Sequence, residues 1–167
     1  MTALFAVLLY VSAAVLVGGL AYRIRDYART PAPLKIPTTP APITRTGVAL
    51  RMVREIALFE SLFRSNLWTW AFGWLFHVGL ALVLVRHLRY FVEPVWGWVA
   101  FVQPFGVYGG FLMAAGLAGL WARRFLVARV RYISTPSDHL LRALLLAIAS
   151  TGLAMKYGAH TDIVALK

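Results

Sequence analysis

Two histidines, His77 and His87, stand ten residues apart on one apolar stretch, Trp68–Val92. An imidazole inside a membrane helix is costly to bury, and such a residue ordinarily marks a ligand or a proton carrier. Ten residues rise about 15 Å along a helix at about 1.5 Å each. That separation suits two stacked haems across a bilayer, close enough to exchange electrons. No acidic residue on the stretch is available to pair with His77. A neutral imidazole in apolar surroundings suits axial ligation of a b-type haem.

Each of these residues also has a plainer reading. His77 is alternatively a satisfied structural histidine. His87, flanked by Arg86 and Arg89, is on its own an interfacial histidine, and beside His77 it reads as a second ligand. Arg86 and Arg89 either pair with haem propionates or snorkel to the headgroups. Gly73, one turn before His77, leaves room for a flat cofactor, although glycine also marks close helix packing. At about 100° per residue the two histidines lie about 80° apart around the helix, so they need not share one stripe. Second axial ligands are harder to find. His139 reads as an exposed interfacial residue at a helix start, and a pairing of His87 with His160 is the remaining candidate.

The elements that must position this pair are membrane helices. Of 167 residues 60% are hydrophobic and only 14% charged, and the mean hydropathy is +0.72. Soluble domains carry about a quarter charged residues. The chain has no cysteine, which excludes thiolate-held iron–sulfur clusters and covalent c-type haem within it. The reading is all-α, a polytopic membrane helix bundle with four spans: about 3–22, 66–92, 99–121 and 136–157. The first, charge-free from Met1 to Tyr22, lacks the basic start of a cleaved signal peptide and is expected to be an uncleaved helix. The fourth is charge-free only over Ala143–Met155, so Arg142 and Lys156 are expected to snorkel.

Cations set the orientation. Arg23, Arg25, Arg29, Lys35, Arg45, Arg51, Arg54 and Arg64 follow the first span, and Arg123, Arg124, Arg129 and Arg131 follow the third. The link between the second and third spans holds Glu93 and no cation. By the positive-inside rule both basic segments face the cytoplasm and the amino terminus lies outside. The net charge of +11 is thus a topology signal. The cations track helix ends instead of forming one patch interleaved with aromatics, so no nucleic-acid partner is expected.

Residues 23–65 exceed what a connector needs. Thr30–Pro42 holds five prolines and should run extended. From Thr46, Leu50, Val53, Ile56, Ala57, Leu58 and Leu62 return at helical spacing among Arg51, Arg54, Glu55 and Arg64, which predicts an amphipathic helix on the membrane surface. It serves as an interfacial anchor in the lipid bilayer, or as a docking platform for a cytoplasmic partner.

Phe76-His77-Val78-Gly79 with His87 ten residues after the first histidine resembles the second helix of the respiratory nitrate reductase gamma subunit. Trp68-Thr69-Trp70, Arg86-His87-Leu88-Arg89-Tyr90-Phe91, the run from Arg131 to His139 and the run from Gly152 to Tyr157 are similar to the membrane cytochrome b subunit of dissimilatory sulfite-reduction complexes. The resemblance extends over essentially the whole chain. It implies a haem b subunit of a bacterial cytoplasmic (inner) membrane, passing electrons between the quinone pool and a cytoplasmic iron–sulfur subunit in sulfur-compound respiration. That partner resembles heterodisulfide reductase and acts on a small sulfur-carrier protein. The resemblance places the cytoplasm-side haem on His77 and the outer haem on His87, two haems b in the intact family member. Its remaining axial histidines come from a fifth helix, expected to be missing at the C-terminus here, which leaves fewer haems or none if the chain is a fragment.

Three other functions stand against this one. A cofactor-free membrane anchor of a redox complex accounts for the topology but leaves His77 unexplained. A gamma-type subunit of a nitrate reductase shares the same site. A transporter is disfavoured, because there are no intramembrane carboxylates and no visible inverted repeat.

Overall fold

The computed structural model describes residues 2–31, 42 and 44–158. They form an all-α, polytopic membrane protein with no strand among the described residues. The helices are α1 (Thr2–Arg29), α2 (Arg45–Leu58), α3 (Glu60–Ser65), α4 (Leu67–His87), α5 (Gly97–Leu126), α6 (Ala128–Tyr132) and α7 (Pro136–Tyr157). A short 3₁₀ turn, Leu88–Tyr90, follows α4. By length and composition α1, α4, α5 and α7 are able to cross a membrane. The Pro-rich arm falls largely outside the described residues, and His160 lies beyond them.

The chain divides into two units, one holding α1 and the other α2 to α7. In the first, helix continues seven residues past Tyr22, so Arg23, Arg25, Asp26 and Arg29 sit on helical turns. The run ends where the Thr30 N–H and hydroxyl both donate to the Asp26 carbonyl, at 3.1 and 2.9 Å. Leu8, Val15, Leu16, Val17 and Leu20 are exposed, as lipid-facing side chains are.

In the second unit α5 is the central helix, and the buried residues Val99, Met113 and Leu117 all lie on it. It packs against α4 on one side and α7 on another. The α4–α5 seam closes on glycine. A Cβ at Gly79 would stand 2.5 Å from the Met113 nitrogen and 2.6 Å from the Gly109 oxygen. A Cβ at Gly116 would stand 2.6 Å from the Phe76 nitrogen and 2.7 Å from the Phe72 oxygen. Backbone atoms at those distances cannot step aside. Small residues allow this approach, and dispersion between close backbones replaces the hydrophobic drive that lipid does not supply. Pro104 is accommodated inside α5, with its helix braced by these neighbours.

Local signals fix the helix ends. Asn66 caps α4, its side-chain oxygen accepting from the Thr69 N–H at 2.8 Å and the Thr69 hydroxyl at 2.9 Å. At α7, Thr135 and Asp138 form a capping box with Pro136 in the first turn. Arg124 pairs with Asp138 at 3.2 Å and donates to Ser134 at 2.8 Å, which fastens the end of α5 to the start of α7. Arg142, expected to snorkel, instead turns back to the Asp138 carbonyl at 2.6 Å.

The surface helix is two helices. The apolar periodicity predicts one continuous run through Leu62, but the backbone breaks at Phe59, which adopts the left-handed conformation at φ 50°, ψ 48°. Such a backbone costs of order 1–3 kcal/mol for a non-glycine residue and persists only where neighbours over-determine it. Here they do. Trp70 Nε1–H donates to the Leu58 carbonyl at 2.6 Å and Trp74 Nε1–H to the Ala57 carbonyl at 3.2 Å. These are carbonyls that a helix C-terminus leaves without partners. Across the break the Glu55 carboxylate accepts from the Ser61 N–H at 3.1 Å and the Ser61 hydroxyl at 2.8 Å.

Candidate functional site

His77 and His87 repeat one arrangement. His77 Nδ1 lies 2.7 Å from the Gly73 carbonyl and His87 Nδ1 lies 2.7 Å from the Val83 carbonyl, each one turn earlier on α4. A carbonyl only accepts, so the proton sits on Nδ1 in each ring. In the neutral imidazole Nε2 then keeps its lone pair for another partner. Metal-bound histidines commonly hold their other ring nitrogen in this way. Both side chains are exposed among the described residues.

Their direction follows from the seam. Gly79 and Leu82 meet α5, and at about 100° per residue they lie about 200° and 140° round the helix from His77. His77 therefore faces away from α5, and His87 lies to one side of that direction. On the His77 side the α2–α3 corner approaches. The Phe59 ring meets the His77 ring at 5.0 Å with an interplanar angle of 70°, and the Phe76 ring meets it at 5.0 Å and 83°. Tyr90 lies against His87 at 5.7 Å.

The donor set fits haem b, which takes one imidazole nitrogen per axial position and apolar surroundings from the protein. Among the described residues no three His, Cys, Asp or Glu side chains gather around one point. What the site offers is two separate, oriented imidazoles.

The other expected site residues divide. Arg86 belongs to the seam: its stem lies where a Cβ on Gly106 would come within 2.7 Å, and its Nη1 donates to the Gln103 carbonyl at 2.6 Å. Gln103 Nε2–H returns a bond to the Arg86 carbonyl at 3.3 Å. Arg89 is less engaged, with Nη1 at 3.5 Å from Gln103 Oε1 and its guanidinium carbon 5.8 Å from the Tyr90 ring centre. Gly73 is buried, and a Cβ there would meet Leu62 of α3 at 3.8 Å, an ordinary contact. Its carbonyl is the His77 partner, and Leu62 is the neighbour that α3 places beside it. His139, expected to be exposed, is half-buried. Trp121 Nε1–H donates to its Nδ1 at 3.0 Å, and the Phe125 ring lies 5.1 Å away.

Phe59, Trp70, Trp74 and Gln103 are the residues that sequence reasoning did not bring to the site. The tryptophans carried a signal, since Trp70 and Trp74 stand one helical turn apart on the same face as Gly73 and His77.

The model of the nitrate reductase gamma subunit family matches residues 59–165, from the corner beside His77 through all the helices of the seam. The chain belongs to that family. This member is also similar to two curated proteins, each named Hdr-like menaquinol oxidoreductase cytochrome b-like subunit. The one from Archaeoglobus fulgidus is 37% identical over 198 residues, covering 95% of this chain and 60% of the relative. The one from Archaeoglobus profundus is 33% identical over 206 residues, covering 98% of this chain and 61% of the relative. The chain thus spans about three fifths of the length of these relatives. No solved structure matches it.

Proposed function

We propose that this family member holds haem b in the membrane and passes electrons between a quinone pool and a cytoplasmic iron–sulfur partner. The setting we infer is sulfur-compound respiration. The observation that carries this is the repeated histidine arrangement on α4, with Nδ1 bound to a carbonyl one turn back and the Nε2 lone pair left for another partner, His77 facing away from the seam and His87 to one side of it. Haem b, when bound, supplies one-electron cycling of its iron. The chain's own contribution is to hold two imidazoles in one tautomer, about 15 Å apart along a rigid helix. A helix locked to α5 through backbone contacts keeps that spacing constant. Arg89, at the His87 end and joined to the seam only by a 3.5 Å contact with Gln103, is the cation placed to meet a carboxylate there.

The relatives' shared name, menaquinol oxidoreductase cytochrome b-like subunit, supports a quinol as the membrane partner. The arginines around α2, α3 and α6 support a cytoplasmic side there, with the amino terminus outside and His77 the deeper-set ligand on the cytoplasmic half. The test is a reduced-minus-oxidised spectrum of the protein purified from native membranes, beside His77→Ala and His87→Ala. Each variant should lose one haem's share of the b-type band. No such band in the native protein sinks the electron-transfer reading. A band that both variants leave unchanged moves the ligands elsewhere.

A further inference from the structure

We propose that Phe59 is a positioning residue for the His77 imidazole, the edge that sets its ring plane. The proposal rests on His77 being a haem ligand.

Two observations meet at this residue. The first is the backbone. The position just past the end of α2 is left-handed, where glycine is the ordinary choice and a bulky side chain is an outlier. A phenylalanine there needs a use for its ring. The second is the contact. The ring lies 5.0 Å from the His77 ring at 70°, an edge-on approach, and Phe76 lies edge-on as well. Edge-to-face pairs hold a relative orientation.

The hydrogen bond from Nδ1 to the Gly73 carbonyl fixes where that nitrogen points, but leaves the ring a residual tilt about the bond. Edge contacts with Phe59 from the corner and Phe76 from the adjacent position restrain that tilt. The corner is itself held by the Trp70 and Trp74 indoles, which come from the same helix as His77. The closed loop is short: α4 holds the corner, the corner holds Phe59, and Phe59 holds the ring on α4. Glu55 and Ser61 brace the corner from within. If His77 held a haem iron, the plane of its ring would set the electronic symmetry of that iron, which gives the orientation a spectroscopic signature apart from turnover.

The experiment uses the protein in its native complex. Phe59→Gly suits the left-handed backbone and removes only the ring; Phe59→Tyr restores the ring. Electron paramagnetic resonance follows the low-spin signal that His77→Ala abolishes. Expected is a shift and broadening of that signal in Phe59→Gly at unchanged haem content, its return in Phe59→Tyr, and an unaltered signal from the second haem. Trp74→Phe, which keeps the Phe59 ring but cuts the bond to Ala57, should give a smaller shift in the same signal and carries the test if the glycine variant folds poorly. A His77-dependent signal that neither Phe59→Gly nor Trp74→Phe moves overturns the positioning role and leaves ligation standing. A haem signal indifferent to His77→Ala overturns ligation, and the positioning role with it.

Discussion

The two sides of α4 are built on opposite terms. Toward α5 the helix meets backbone with backbone through Gly79 and Gly116, and nothing larger than hydrogen fits. Away from α5 it carries long aromatic and imidazole side chains, with His77 and His87 exposed and a strained corner laid beside the first. One face is finished by the chain itself. The other presents the two imidazoles that the proposed function assigns to a further partner. The seam and His77 are thus separated by about half a turn of one helix, which lets each be altered without the other.

The sharpest way to break this comparison is on the seam. Gly79→Ala or Gly116→Ala puts a methyl group into backbone that cannot yield. Each should cost about 1–3 kcal/mol or more, read from detergent unfolding, and the two together should abolish the folded hairpin. Gly73→Ala, on the other face, meets only Leu62 at 3.8 Å and should be tolerated. Equal losses at Gly73 and Gly79 would erase the distinction drawn here.

Of intermediate size is the contrast between two neighbouring arginines. Arg86→Ala removes the bond to the Gln103 carbonyl and the stem packed on Gly106, and should destabilise the fold by about 1–3 kcal/mol. Arg89→Ala should leave unfolding within about 0.5 kcal/mol of the parent. A larger loss for Arg89 in the same unfolding measurement would reverse their assignment to seam and site.

The smallest effect belongs to the corner. The Glu55 carboxyl is held below its usual range, first by the Ser61 hydroxyl and then by the Ser61 N–H, against an opposing burial and with smaller contributions from Arg51 and Arg64. A folded-state value below the unfolded one contributes stability that is fully present above the ordinary carboxylate range. That contribution fades as the pH falls through the lowered value. Proteolytic cleavage at 58–61 should accordingly rise on acidification from pH 6 to below about 4. Glu55→Gln should be cut at one rate throughout; a retained pH dependence would place its origin elsewhere.

Much of this architecture was legible in the residues, and the reasons are specific. Three of the four long helices follow from long charge-free, mostly apolar runs, such as Ser65–Val85, that only a bilayer or a large core accepts. The histidine pair stood out because it interrupts one of them. Thr135-Pro136 signalled the start of α7 through local chemistry alone. The break at Phe59 was hidden because apolar spacing continues across it, from Leu58 to Leu62, and its cause lies in the bonds from Trp70 and Trp74, 11 and 15 residues further on. The fate of Arg86 was hidden for a related reason: an arginine at a helix end snorkels or turns inward according to its neighbour. Gly106 on α5 decided that case. Side-chain direction at helix ends is a tertiary property, whereas helix existence here is a local one.

The glycine seam also has a consequence for how the protein is assembled. A joint made from main-chain atoms needs no cofactor to complete it, so the α4–α5 hairpin is able to form as the two segments leave the insertion machinery. On the haem-binding role proposed above, the histidines are then displayed on a finished scaffold, and metalation becomes a late event in biogenesis. In cells starved of haem the hairpin should still resist protease as it does in replete cells. Degradation of α4 and α5 before the rest of the chain under starvation would show that the order is reversed.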